Sequence, residues 1–175
     1  MGFTLVELVI VVAIIGVLSA TLLFNFRSTQ TGASARAQVA NVLISDIRDM
    51  QSRALSGSNP SGVLVCGYGI HYINATTYVL FARPVSGGTP CAADARPKTY
   101  QVGDLVLAEK NLLNPQMVFA NAFADVYYEI PSAKGYINNN SLPSQFSSFL
   151  IAFSASPGVV TTVHVSASGN ITVLP

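Results

Sequence analysis

The sequence predicts an α+β fold in which one long N-terminal helix, half of it transmembrane, lies on an antiparallel β-sheet domain. Three observations carry this. An uncharged apolar run extends from Leu8 to Phe26. Apolar residues then recur at steps of three and four from Val39 to Ala54. From Val63 onward, short segments rich in β-formers alternate with turn residues.

The apolar run comes first in the chain. Half of the 175 residues are hydrophobic and 10% are charged, fewer charges than an ordinary soluble domain carries. Much of the excess lies between Phe3 and Phe26, where Glu7 is the only charge. The 19 residues from Leu8 to Phe26 would span roughly 29 Å as a helix, the thickness of a bilayer core. A spanning segment must satisfy its backbone internally, so helix is expected. A cleaved secretory signal is the competing reading, but it would begin with basic residues, and the first here is Arg27.

The stripe continues the helix to about Ser56. Val39, Ala40, Leu43, Ile44, Ile47, Met50 and Ala54 share one face, while Gln38, Asn41, Ser45, Asp49 and Arg53 take the others. Asp49 and Arg53 stand at i, i+4 with the acid first, the favourable order. Gly57, Ser58, Asn59, Pro60 and Gly62 then stop the helix. The expected division is an anchor helix over 3–27, its amphipathic continuation over 28–56 and a β-rich domain over 57–175, with 1–2 a residual leader by the family resemblance given below.

Strands are expected at 63–66, 70–73, 77–81, 104–108, 117–120, 126–130, 149–153, 159–165 and 171–174, with a tight hairpin at Asn74-Ala75. Cys66-Gly67-Tyr68-Gly69 reads as a bulged strand, since no helix pattern follows to make it a phosphate cradle. Alternation leaves open which of Tyr68, Tyr72, Tyr78, Tyr127 and Tyr128 are buried.

Composition excludes several function classes. A net charge of +1 gives no broad attraction to nucleic acid or anionic lipid. His71 and His164 each stand in a β-rich run without the neighbours a metal site needs. Asp94, Asp104 and Glu109 lack the dense spacing of a calcium loop. No serine stands in a nucleophile elbow. Neither an enzyme nor a cofactor is expected. Cys66 and Cys91 lack redox-motif spacing, which leaves a disulfide or two reduced thiols.

Glu7 is the residue with the sharpest chemistry. A lone acid in an apolar helix is costly and normally has a partner. If the chain is cut after Gly2, Phe3 gains an amine, and that amine on one subunit can pair with Glu7 on the next. Such a pair would set the register of apolar helices that otherwise have none. The plainer alternative is an acid at the edge of a simple anchor.

Gly2-Phe3-Thr4-Leu5-Val6-Glu7-Leu8, followed by Val9 to Leu18, resembles the class III signal of type IV prepilins and pseudopilins. The resemblance covers about the first 25 residues. It implies a pilin-like fold, cleavage between Gly2 and Phe3 by a prepilin peptidase, and N-methylation of Phe3. It further implies residence in the inner membrane with the β-rich domain exported, an assembly platform there, and polymerisation with other pilin subunits through Glu7. Family leaders carry basic residues before the glycine, where only Met1 stands here, and Phe24 occupies a place where proline is common. Asp49 to Ala54, Val63–Cys66 and Val163 to Ile171 are similar to H-type minor pseudopilins of type II secretion and to FimT-like minor pilins. Some FimT-like relatives capture DNA, which makes a DNA-binding pilin the alternative. That role needs clustered cations, and Arg83, Arg96 and Lys98 form only a small group.

Overall fold

A computed structural model describes residues 5–87, 91 and 94–174, apart from the side chains of 21–31. The chain divides into two compact units, Met1–Ala35 and Arg36–Pro175. Helix α1 (Leu5–Ser56) contributes to both, and its described side chains fall in two stretches, 5–20 and 32–56.

The first stretch corrects the sequence expectation. Among the described residues no helix is long and apolar enough to cross a membrane. The class is α+β, but the half-transmembrane N-terminal helix and the single-pass inner-membrane placement expected with it are overturned. What this stretch does present is apolar surface. Leu5, Val6, Leu8, Val9, Ile10, Val11, Val12, Ile14, Ile15, Val17 and Leu18 are all at least 50% exposed.

The second stretch behaves as an amphipathic helix should. Val39, Ala40, Leu43, Ile47, Met50 and Ala54 are buried, while Gln38, Asn41, Ser45, Asp49 and Arg53 are exposed. Arg53 Nε donates to Asp49 at 2.9 Å. Gly57, at φ +61°, takes the left-handed conformation that ends many helices.

Among the described residues nine strands follow: β1 (Val65–Asn74), β2 (Thr77–Pro84), β3 (Leu105–Asn111), β4 (Met117–Phe119), β5 (Val126–Glu129), β6 (Lys134–Ile137), β7 (Phe146–Phe153), β8 (Ser156–Ser166) and β9 (Ile171–Leu174). They form two antiparallel sheets, ordered β3-β2-β1-β5-β6 and β4-β7-β8-β9. The sheets are joined where Phe119 N of β4 donates to Ala75 O of the β1–β2 turn at 2.7 Å, while Leu112 N donates to Thr76 O at 2.9 Å just beyond the β2–β3 pairing.

Register divides the larger sheet into two faces, because directly opposed residues share a face. Tyr68 and Ile70 of β1 oppose Ala82 and Leu80 of β2, and Tyr128 and Val126 of β5. This face also carries Tyr78, whose hydroxyl donates to Asp46 of α1 at 2.6 Å. On the other face Gly67, Gly69 and His71 oppose Arg83, Phe81 and Val79, and Glu129 and Tyr127. The two glycines are needed there. A Cβ on Gly67 would lie 2.3 Å from the Tyr127 ring, and one on Gly69 2.5 Å from the Phe81 ring.

Two differences from the expected strands have local causes. β1 is one bulged strand where two were expected: Cys66-Gly67-Tyr68-Gly69, read as a bulged strand, joins them, with a register shift between Val65 and Gly67 and the two glycines giving clearance for rings. β6 was not expected. Its Gly135 allows a close approach to the backbone of Ala167, whose oxygen would meet a Cβ at 2.4 Å. The β1–β2 turn falls on Ala75-Thr76, one residue beyond the expected position.

Candidate functional site

Gly2 and Phe3, the expected cleavage and methylation residues, lie outside the described residues. Glu7 lies in the first turn of α1 and is exposed, and its neighbours in sequence, Leu5, Val6, Leu8 and Val9, are apolar and exposed as well. An acid there also complements the positive end of the helix dipole.

The most ordered polar chemistry lies elsewhere, on the glycine-bearing face of the larger sheet. The chain between β2 and β3 crosses this face over residues 97–101 and acts as a strap. Arg83 holds it from beneath. Its Nε and Nη2 donate to the two oxygens of Asp104 at 3.1 and 2.9 Å, and both side chains are sealed from solvent. Its Nη1 and Nη2 also donate to the carbonyls of Pro97 and Thr99. A planar guanidinium with five donors suits this task better than a lysine would.

Other contacts complete the strap. Lys98 Nζ lies 3.3 Å from Glu129 and 5.7 Å from the Tyr127 ring centroid. The backbone N of Lys98 donates to Asn139 Oδ1 at 2.8 Å. Tyr100 stacks on His71 with centroids 4.6 Å apart and meets Phe81 edge-on at 5.2 Å. Asp125 receives the Tyr100 backbone N at 2.8 Å and pairs with His71 Nδ1 at 2.7 Å. Cys91 is joined to Cys66 of β1 by a disulfide.

These contacts decide what the cations can do. Arg83, Arg96 and Lys98 each have an acid partner: Asp104, Asp94 and Glu129. Arg83 is fully buried and Lys98 nearly so. A hydrogen bond from Arg96 holds the Asp94 carboxyl below its ordinary range. The group weighed for phosphate binding is therefore largely neutralised within the fold. Asp94 and Asp104, weighed as calcium ligands, are occupied by guanidinium groups, and Glu109 is exposed on β3. Among the described residues no group of three His, Cys, Asp or Glu is placed to hold a metal ion. His164 stacks on Phe146 at 5.1 Å. Burial pushes the phenols of Tyr78, Tyr127 and Tyr128 upward.

Two residues that organise the domain were not singled out by sequence. Asp46 binds both Tyr78 and Lys110, the latter at 3.4 Å. Its signal was its place three residues after Leu43 and four before Met50, at the margin of the buried stripe. Asp125 had no local signal, because its partners are brought in from β1 and the strap. Neither a protein-family model, nor a curated protein, nor a solved structure matches the chain.

Proposed function

We propose that this chain is a structural subunit of a helical filament of the type IV pilus or type II secretion kind, a minor pilin or pseudopilin rather than an enzyme. The observation that carries the reading is the apolar surface of α1. From Leu5 to Leu18 the large side chains point in every direction around the helix and all are half-exposed or more. A helix apolar on all sides needs an apolar environment. Copies of the same helix, bundled as a filament core, supply one. Glu7 then acts as the register pin, pairing with the amine of a neighbouring Phe3 after a prepilin peptidase has cut behind Gly2.

The test compares wild type, Glu7→Ala and Glu7→Gln for the fraction of subunit recovered in sheared filaments. Removing one member of a low-dielectric charge pair strands the other, at a cost of about 3–5 kcal/mol. Both variants are expected to fall at least about tenfold in the filament fraction while total subunit is unchanged. Wild-type recovery of Glu7→Ala would remove the charge pair from the reading. Absence of wild-type subunit from filaments would remove the reading itself.

A further inference from the structure

Three Asn-x-Ser/Thr triplets occur in the β-rich domain: Asn74-Ala75-Thr76, Asn139-Asn140-Ser141 and Asn170-Ile171-Thr172. A fourth, Asn59-Pro60-Ser61, has proline at the central position, which excludes it. The three asparagines are exposed. Their side chains differ in engagement. The carbonyl of Asn139 is taken by the buried strap, where it receives the backbone N of Lys98. At Asn170 it is the backbone N that is bonded, to Ser166 Oγ at 3.1 Å. Asn74 alone has its side-chain carbonyl bonded by the third residue of its own triplet. Asn74 Oδ1 accepts from Thr76 N at 2.9 Å and from Thr76 Oγ1 at 3.1 Å.

We propose that Asn74 is an acceptor for an N-linked glycan, donated by a diphosphate-activated sugar that is either lipid-linked or a nucleotide sugar. An amide nitrogen is a poor nucleophile because its lone pair is delocalised into the carbonyl. Two hydrogen bonds onto Oδ1 draw density to the oxygen and make the Nδ2 protons more acidic. In the transfer, Nδ2 forms a bond to the anomeric carbon. The bond from that carbon to the diphosphate oxygen breaks, the diphosphate leaves with the electron pair, and one amide proton passes to a base of the transferase. No oxidant or reductant is needed. The β1–β2 hairpin suits the product as well. Ile73, Asn74, Ala75 and Thr76 are all exposed, while the Ala75 and Thr76 carbonyls are held by the backbone N of Phe119 and Leu112, so the hairpin is fixed with Asn74 open to solvent.

The test is peptide mass spectrometry of the full chain isolated from its native host, for wild type, Thr76→Ala and Thr76→Ser. Sugar mass on the Asn74 peptide is expected in wild type and in Thr76→Ser, with complete loss in Thr76→Ala. Enzymatic deglycosylation in heavy-oxygen water should convert Asn74 to labelled Asp. An unmodified Asn74 in wild type overturns the proposal. So does sugar that persists in Thr76→Ala, or sugar found on Asn139 or Asn170 alone.

Discussion

Arg83 and Asp104 meet through two hydrogen bonds of 2.9 and 3.1 Å in the interior of the domain, and neither side chain reaches water. The pair closes the strap on the sheet, since the same guanidinium also binds the carbonyls of Pro97 and Thr99. Breaking a buried pair costs about 3–5 kcal/mol, because the remaining charge is left without compensation. Arg83→Met is expected to destabilise by about that amount. Asp104→Asn, which keeps the shape, should cost less. The double variant should cost less than the sum of the two. Urea unfolding midpoints check this, and strictly additive losses would show that the pair is not coupled.

Gly69 and Gly16 provide opposite tests of the same substitution. An alanine at Gly69 would place Cβ 2.5 Å from the Phe81 ring and 2.6 Å from the Val126 carbonyl, and the carbonyl is backbone that cannot swing away. Gly69→Ala is expected to destabilise by at least about 1–3 kcal/mol, the usual cost of overpacking. Nothing lies within 4 Å of a Cβ at Gly16, a helical position. Gly16→Ala should raise helix stability by about 0.5–1 kcal/mol. Thermal melts of the two variants measure both signs.

Tyr78, Tyr127 and Tyr128 predict alkaline unfolding. Burial keeps their phenols neutral well above the ordinary value of about 10. Their folded-state pKa values are raised above the unfolded ones. The stability they contribute is therefore complete below about pH 10 and is lost as the pH rises toward the folded values. The tyrosinate absorbance band should appear late and together with loss of tertiary circular dichroism. Early, unfolding-free ionisation of all seven tyrosines would contradict the burial.

The Cys66–Cys91 bridge spans a sequence separation of 25 residues. In the chain-entropy view such a loop contributes on the order of 3–4 kcal/mol. The reduced protein should unfold at a correspondingly lower urea concentration. Residues 97–104 should stay protected from protease before global unfolding, because Arg83, Asp125 and Asn139 hold them independently. Limited proteolysis with and without reductant reports which part of the strap depends on the bridge.

Much of the domain was legible in the sequence because its signals are local and periodic. The stripe of α1 followed from steps of three and four, and the buried residues are those of that stripe, apart from the half-buried Ile44. The strand cores followed from β-branched and aromatic runs bounded by turn residues. The apolar character of Leu5–Leu18 and the solitary Glu7 can also be read from the chain alone. The crossing of a bilayer expected from the run Leu8 to Phe26 is not borne out, because among the described residues no helix is long and apolar enough to cross a membrane.

Only the tertiary structure decided the rest, since it depends on contacts between residues distant in the chain. Asp104 was an acid near a loop until the fold placed it on Arg83, 21 positions away. His71 and Asp125 are 54 positions apart and meet only because β1 and β5 pair. Gly67 and Gly69 read only as part of a bulged strand in one dimension, whereas the rings that require glycine there come from β5 and β2. Composition and periodicity record how one segment meets solvent. Charge neutralisation and ring clearance depend on which segments become neighbours, and that is set by strand order and register.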